Sequence, residues 1–459
     1  MQMSATIQSV NPADESVLKT YKPHSKEQVE RALEKASRSF GDWRKASLKE
    51  RTAVLKEIAR TLRADAGKLA KLATQEMGKP FQQSMDELEK CARTLDFYAK
   101  EAPNYLREEI VETDARRSYI SYQPLGVVLA VMPWNFPYWQ VFRAMAPILA
   151  AGNTMVLKHA SNVSGCAQAI EKIVVKSGAP KGVFQTLLLP SSEVAGMIES
   201  PLVAAITFTG STAAGRKIAE TAGRFLKKQV LELGGSDAYV VLEDADLEKA
   251  VETCVHSRLI NSGQSCVSAK RFVVVKKLRK AFEERMTTLM KASVFGDPFD
   301  DVSRIGPLAR VDLRNELHQQ VWDSLEQGAK LLCGGYIPDR AGAWYPPTVL
   351  TNVRKGMRAY EEELFGPVAA IIEARDEADA LRIANDSPFG LGGAIFSKNR
   401  KRAEMLAATE LQAGSCFVND FVHSDPRLPF GGVKDSGYGR ELGAFGIREF
   451  TNAKTVFIK

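Results

Sequence analysis

Apolar residues recur at helical spacing through the first hundred positions and at strand spacing after them, and this change of period divides the chain. Ser25 and Gln28 form a capping box ahead of Val29, Leu33, Ala36 and Phe40. Ser47 and Glu50 repeat the device ahead of Val54, Leu55, Ile58 and Leu62. A third helix is predicted to end at Gly78, with Pro80 just beyond it, and a fourth to carry Leu88, Cys91, Leu95 and Tyr98. From Tyr105 to Tyr122 the period falls to two, which predicts a hairpin whose edge needs a partner.

Between Leu125 and Glu232 short apolar runs alternate with helical segments. The predicted strands are 127–132, 154–158, 183–189, 204–208 and 228–231. Continuous apolar strands separated by helices imply a parallel sheet covered on both faces. Such a sheet binds ligands beyond the carboxyl ends of its strands. A second alternation runs from Gly235 to Lys434, with strands expected at 239–242, 271–275 and 417–419 and a helix from Leu247 to Ile260. The last ten residues end in a strand whose expected partner is the outlying hairpin of another subunit. The fold class is α/β.

A chain of 459 residues exceeds one compact core, so two or three domains are expected. The six cysteines are scattered without a CxxC pair, which argues for reduced thiols in the cytoplasm and against a disulfide framework or a zinc site. No secretory signal is read at the N-terminus, and the longest apolar runs are too short to span a membrane. The net charge of +7 comes from 62 basic against 55 acidic residues without a block of one sign. That excludes a nucleic-acid reading and leaves a mild attraction for anionic ligands.

Candidate chemistry lies at the strand ends. The loop 261–268 carries Cys266 between a helix and a strand, with Gly263 allowing close approach, a placement suited to a nucleophile. The segment from Thr209 to Gly215 opens a helix whose free N–H groups, beside Gly210, suit a pyrophosphate. Lys158 ends a strand where it either meets a ribose or phosphate or is a solvated charge. The stretch from Pro133 to Pro137 puts Asn135 in a rigid turn, and Leu231 to Gly235 puts the Glu232 carboxylate at another strand end.

With these motifs, PWNFP at 133–137, FTGS at 208–211, LELGG at 231–235, GQSC at 263–266, ELFGP at 363–367 and the run 429–441, the chain resembles the aldehyde dehydrogenase superfamily, NAD(P)-dependent and non-acylating. Within it, the succinate-semialdehyde dehydrogenases are the most similar. The resemblance covers essentially the whole length. It implies a Rossmann-like cofactor domain at 1–113 and 127–232, an oligomerisation hairpin at 114–126, an α/β catalytic domain at 233–436 and a C-terminal oligomerisation strand region at 437–459, in a homodimer or homotetramer. It assigns Cys266 as nucleophile, Asn135 and the Cys266 N–H as oxyanion donors, and Glu232 as the base that activates the hydrolytic water.

By the same resemblance Trp134, Lys158, Ser161, Gly182, Gly210, Ser211, Glu363 and Phe365 serve the cofactor. Many NAD-preferring relatives carry a glutamate where this chain has Ser161. A glutamate would repel a 2′-phosphate that serine and Lys158 can hold, so NADP is expected ahead of NAD. Arg143 is expected to meet the distal carboxylate of a semialdehyde, with Ser424 adding a hydrogen bond; the alternative for Arg143 is an ion pair within the fold. Ser268 stands where some relatives have a second, redox-active cysteine. Competing functions are a broad-specificity or aromatic aldehyde dehydrogenase and, from another class, a cofactor-independent thiol hydrolase using Cys266 with His256 or His423.

Overall fold

The computed structural model describes residues 6–459. Two parallel sheets, each sandwiched by helices, carry the fold. The first has six strands in the order Gly437–Tyr438, Lys228–Glu232, Val203–Thr209, Val127–Met132, Thr154–His159 and Phe184–Leu187. All neighbours in it are parallel except the two-residue edge strand, which runs antiparallel to Leu231 and Glu232. The second has seven strands in the order Lys330–Cys333, Thr348–Thr351, Val368–Ala374, Arg271–Val275, Ala238–Val241, Gly392–Phe396 and Ser415–Val418, again with one antiparallel edge.

Period two explains why these strands are apolar throughout. Val128, Ala130 and Met132 enter the core on one face of the first sheet, and Val127, Leu129 and Val131 enter the core on the other. Val240 and Val273 are likewise separated from Tyr239, Val241 and Phe272 in the second sheet. Full burial of such side chains stabilises by roughly 1.5–3 kcal/mol each.

The helices Lys26–Trp43 and Leu48–Ala64 begin at Ser25 and Ser47, and both capping boxes form. The helix Ala66–Met77 ends at Gly78 in the left-handed conformation, with φ of 77°. The first hundred residues are not wholly helical, however. Ile7–Val10 and Val17–Tyr21 pair as an antiparallel hairpin. Its second strand is exposed at Val17 and Leu18, so burial imposes no alternation that a sequence reading can detect.

The C-terminal region departs from expectation in three ways. Thr451–Ile458 pairs residue by residue with Arg117–Pro124, so the hairpin of its own chain takes one edge of the strand. The outlying sheet begins at Glu109–Ile110, ahead of residue 114. The stretch from 437 is divided: Gly437–Tyr438 completes the six-stranded sheet, and the helix Gly443–Glu449 packs on Phe81–Tyr105. A strand's partner depends on where the chain has already been led, which local pattern does not encode.

Among the described residues, no helix is long and apolar enough to cross a membrane.

Candidate active site

The carboxyl ends of the first sheet bring three stretches to one edge. Met132 leads into Trp134 and Asn135, Thr209 into Gly210, and Glu232 into the glycine pair 234–235 that crosses to the second sheet. The turn after Met132 is held by a buried acid. Glu87 Oε1 accepts from Tyr138 N at 2.7 Å and Trp139 N at 2.8 Å, capping a helix that has no side-chain cap of its own. Lys79 pairs with Glu87 in full burial and lies 3.9 Å above the Phe136 ring.

The cysteine loop is strained. Asn261, Ser262 and Gly263 have φ of 54°, 55° and 76°, and a Cβ on Gly263 would stand 2.3 Å from the Gly366 carbonyl carbon. Left-handed non-glycine residues cost about 1–3 kcal/mol each and persist where neighbours over-determine them. Here Asn261 Nδ2 donates to Asn135 O at 2.6 Å and Gln264 O at 3.0 Å, and Arg258 donates to Gly263 O at 2.5 Å. Asn135 Nδ2 donates to Gln264 O at 3.2 Å, which ties the turn directly to the cysteine loop. One of its two N–H groups is thereby engaged, leaving the other available.

Cys266 sits at the wall of a cavity of about 1010 Å³, also lined by Phe136, Trp139, Arg143, Lys90 and Ser424. Burial pushes the Cys266 thiol up to about 12, against the pull of Lys270 and Arg143. Lys270 was not singled out by the sequence. Its Nζ is fully buried and donates to Ser265 O at 3.0 Å and Cys266 O at 2.6 Å, and it pairs with Glu363 Oε1 at 3.1 Å. The signal was a charge four residues past the nucleophile, where an apolar strand begins.

Glu232 is buried, and neither carboxylate oxygen has a hydrogen-bond partner among the described residues. Burial raises it well above the ordinary carboxylate range and the neighbouring Glu441 raises it further, while Arg143 and Arg440 pull it down. An acid poised nearer neutrality suits a general base. Glu441 lies inside the recognised 429–441 run but carried no expected role. It forms a buried ion pair with Arg143, which also donates to Thr209 Oγ1 at 3.2 Å. Arg143 thus lines the cavity and is charge-paired within the fold, the second of the two alternatives.

The expected cofactor residues divide in the same way. Trp134 and Phe365 meet edge to face, with ring centroids 5.7 Å apart. Glu363 accepts from Gly235 N at 3.2 Å as well as from Lys270. Ser211 caps the helix Thr212–Arg224 beside Gly210, whose N–H donates to Glu232 O at 3.0 Å. Lys158 ends its strand buried, with no carboxylate in ion-pair reach among the described residues, and exposed Ser161 opens the next turn. An enclosed ammonium without an acid partner fits a phosphorylated dinucleotide.

Gly182 is a correction. It precedes Phe184–Leu187, at the amino end of that strand, and a Cβ there would stand 2.3 Å from Ser39 Oγ, so it packs on the helix Lys26–Trp43 and not in the cleft. The histidines considered for a thiol hydrolase also reach the cavity. His256 stacks against Phe421 with centroids 4.9 Å apart, and His423 Nδ1 lies 2.9 Å from Phe421 O; no hydrogen bond joins either to Cys266.

The aldehyde dehydrogenase family model matches residues 1–456. The chain belongs to this family. It is 46% identical over 449 residues to the succinate semialdehyde dehydrogenase [NAD(P)+] of Escherichia coli strain K12, covering 98% of this chain and 97% of that one. It is 45% identical over 452 residues to a probable succinate-semialdehyde dehydrogenase [NADP(+)] of Synechocystis, covering 98% and 99%. Among solved structures, the succinic semialdehyde dehydrogenase of Streptococcus pyogenes in complex with NADP+ superposes with a TM-score of 0.96 at 40% identity, covering 98% of this aldehyde dehydrogenase and 99% of that chain. Fold and family therefore agree.

Proposed function

We propose that this aldehyde dehydrogenase oxidises an aldehyde bearing a distal carboxylate, succinate semialdehyde, to the acid with NADP, or NAD, as hydride acceptor. The observation that carries this is the cavity itself: Cys266 shares it with Arg143, Lys90 and Ser424, so a carbonyl carbon and a carboxylate each have a partner in one enclosure. The names of the relatives point to the same substrate and cofactor.

Cys266 Sγ, once deprotonated, attacks the carbonyl carbon to give a thiohemiacetal. The free N–H of the Asn135 amide and the Cys266 backbone N–H donate to the oxygen as it gains charge; losing one such donor costs roughly 2.7–4 kcal/mol of transition-state stabilisation. The bound nicotinamide supplies the acceptor for the hydride. Glu232 then takes a proton from water as that water attacks the thioester, and Cys266 leaves as thiolate. Trp134, Lys158, Ser161, Gly210, Ser211, Glu363 and Phe365 are the residues we assign to hold the dinucleotide.

We also read the chain as a homodimer or homotetramer in the cytoplasm. Thr451–Ile458 is an edge strand with Phe457 and Ile458 exposed, Ile110 is exposed on the opposite edge of the same small sheet, and six unpaired cysteines suit a reducing compartment.

The test is absorbance at 340 nm with succinate semialdehyde, glutarate semialdehyde, butanal and benzaldehyde, each with NADP and NAD, on wild type and Cys266→Ala. Oxidation that requires cofactor, favours the carboxylated aldehydes and vanishes in Cys266→Ala is expected. Ester or amide hydrolysis without cofactor, together with no aldehyde oxidation with either cofactor, would replace this reading with the thiol hydrolase.

A further inference from the structure

Arg143 is not the cation this cavity has to spare. Its guanidinium is ion-paired with Glu441 and donates to Thr209, both inside the protein. An arriving carboxylate must compete with a carboxylate already in place.

Lys90, on the helix Phe81–Tyr105, is differently situated. Its Nζ donates to Ser424 Oγ at 2.7 Å and lies 4.3 Å above the Trp139 ring. Among the described residues no carboxylate reaches it within ion-pair distance; Asp86, one turn back on the same helix and lining the same cavity, accepts from Gln82 Nε2 at 3.0 Å, and the other acids around Lys90 are paired elsewhere. Glu87 pairs with Lys79 and caps Tyr138 and Trp139. Glu89 pairs with Arg63, and Asp425 accepts from both Arg427 Nε and Nη2. Lys90 thus presents a positive charge to the cavity that Cys266 also lines. Enclosing an ammonium without an anion is unfavourable, and a ligand that brings the anion removes that penalty.

We infer that Lys90, with Ser424 beside it, receives the distal carboxylate of the substrate and is the residue that selects charged over uncharged aldehydes. The inference rests on the carboxylated-aldehyde reading above. Ser424 Oγ accepts from Lys90, so its own O–H remains free to donate, and the pair offers one carboxylate two donors. The Trp139 face below the ammonium gives the methylene carbons an apolar wall. Burial, and Arg143 as second cause, push Lys90 down to about 8.

The experiment compares kcat/KM for succinate semialdehyde and for butanal, the uncharged aldehyde of the same chain length, in wild type, Lys90→Met, Lys90→Arg and Ser424→Ala. Lys90→Met is expected to lose at least about 20-fold more on succinate semialdehyde than on butanal, chiefly through KM, a differential of about 1.8 kcal/mol. Lys90→Arg should recover much of it, and Ser424→Ala should show the same selective loss at smaller size. Equal losses on the two aldehydes would mean that Lys90 only tethers the loop at Ser424, and the inference fails. A wild type that does not prefer succinate semialdehyde to butanal overturns the substrate reading itself, before any variant is made.

Discussion

Lys270 Nζ stands 3.1 Å from Glu363 Oε1 while donating to the carbonyls of Ser265 and Cys266, so one buried ammonium joins a carboxylate we assign to the cofactor to the nucleophile's backbone. Lys270→Met is therefore expected to raise the KM for cofactor about tenfold, in the range of one charged hydrogen bond. It should also slow alkylation of Cys266 by iodoacetamide at any given pH, because the largest opposing charge on that thiol is lost. With the thiol pushed up to about 12, alkylation of the cofactor-free wild type should rise about tenfold per pH unit through pH 9 without a plateau. An alkylation profile identical in the two proteins would show that Lys270 does not act on the thiolate.

Ser161→Glu places a carboxylate at the exposed turn after Lys158. It should lower kcat/KM for NADP by about 10- to 100-fold through repulsion of the 2′-phosphate, and leave NAD little changed or improved. The ratio of the two kcat/KM values checks this. A ratio that does not move would put the 2′-phosphate elsewhere.

Glu232→Gln removes the buried carboxyl whose oxygens have no partner among the described residues. Hydride transfer should proceed and thioester hydrolysis should stall, giving a burst of reduced cofactor near one equivalent and a steady rate lower by about 10²- to 10⁴-fold. Stopped-flow absorbance at 340 nm resolves the two phases. A uniform loss without a burst would assign Glu232 to an earlier step.

Arg143 and Glu441 are a buried pair, and breaking such a pair from one side costs about 3–5 kcal/mol. Arg143→Met and Glu441→Gln should each lower the urea midpoint, and the double variant should regain at least half of the summed loss. Additive losses would show that the two groups do not depend on each other.

Asp237 is pushed up to about 7, chiefly by burial, with Lys270 opposing. Its folded pKa thus lies above the value near 3.9 of an unfolded chain. The contribution is complete below about pH 4 and is lost as pH rises through 7, because ionisation inside the fold is penalised. Asp237→Asn keeps an acceptor for Gly392 N, which now donates to Asp237 Oδ1 at 3.1 Å, and should flatten the fall in Tm between pH 5 and pH 8. Parallel Tm curves for the two proteins would locate the pH dependence in other groups.

Much of this arrangement was legible in the chain because it is local. The capping boxes at Ser25 and Ser47, the helix stop at Gly78, and the strands at Val127–Met132 and Arg271–Val275 stand where pattern and capping chemistry put them. The hairpin Ile7–Val10 with Val17–Tyr21 was not legible, since its exposed face carries no period. Gly182 misled because a glycine before a strand looks the same whether it faces a ligand or a helix; only the 2.3 Å approach of Ser39 Oγ to its virtual Cβ decides.

By itself the amino-acid sequence determined the α/β class, the family and the order of its motifs, because these depend on residue type and short-range spacing. Only the tertiary structure decided which charges answer one another. It pairs Arg143 with Glu441 across 298 positions of chain, sets Lys270 against Glu363, and leaves Lys90 in the cavity of Cys266 with no acid partner among the described residues. Electrostatic energy depends on separation in space and on enclosure from water, and neither is written in the spacing of residues along a chain.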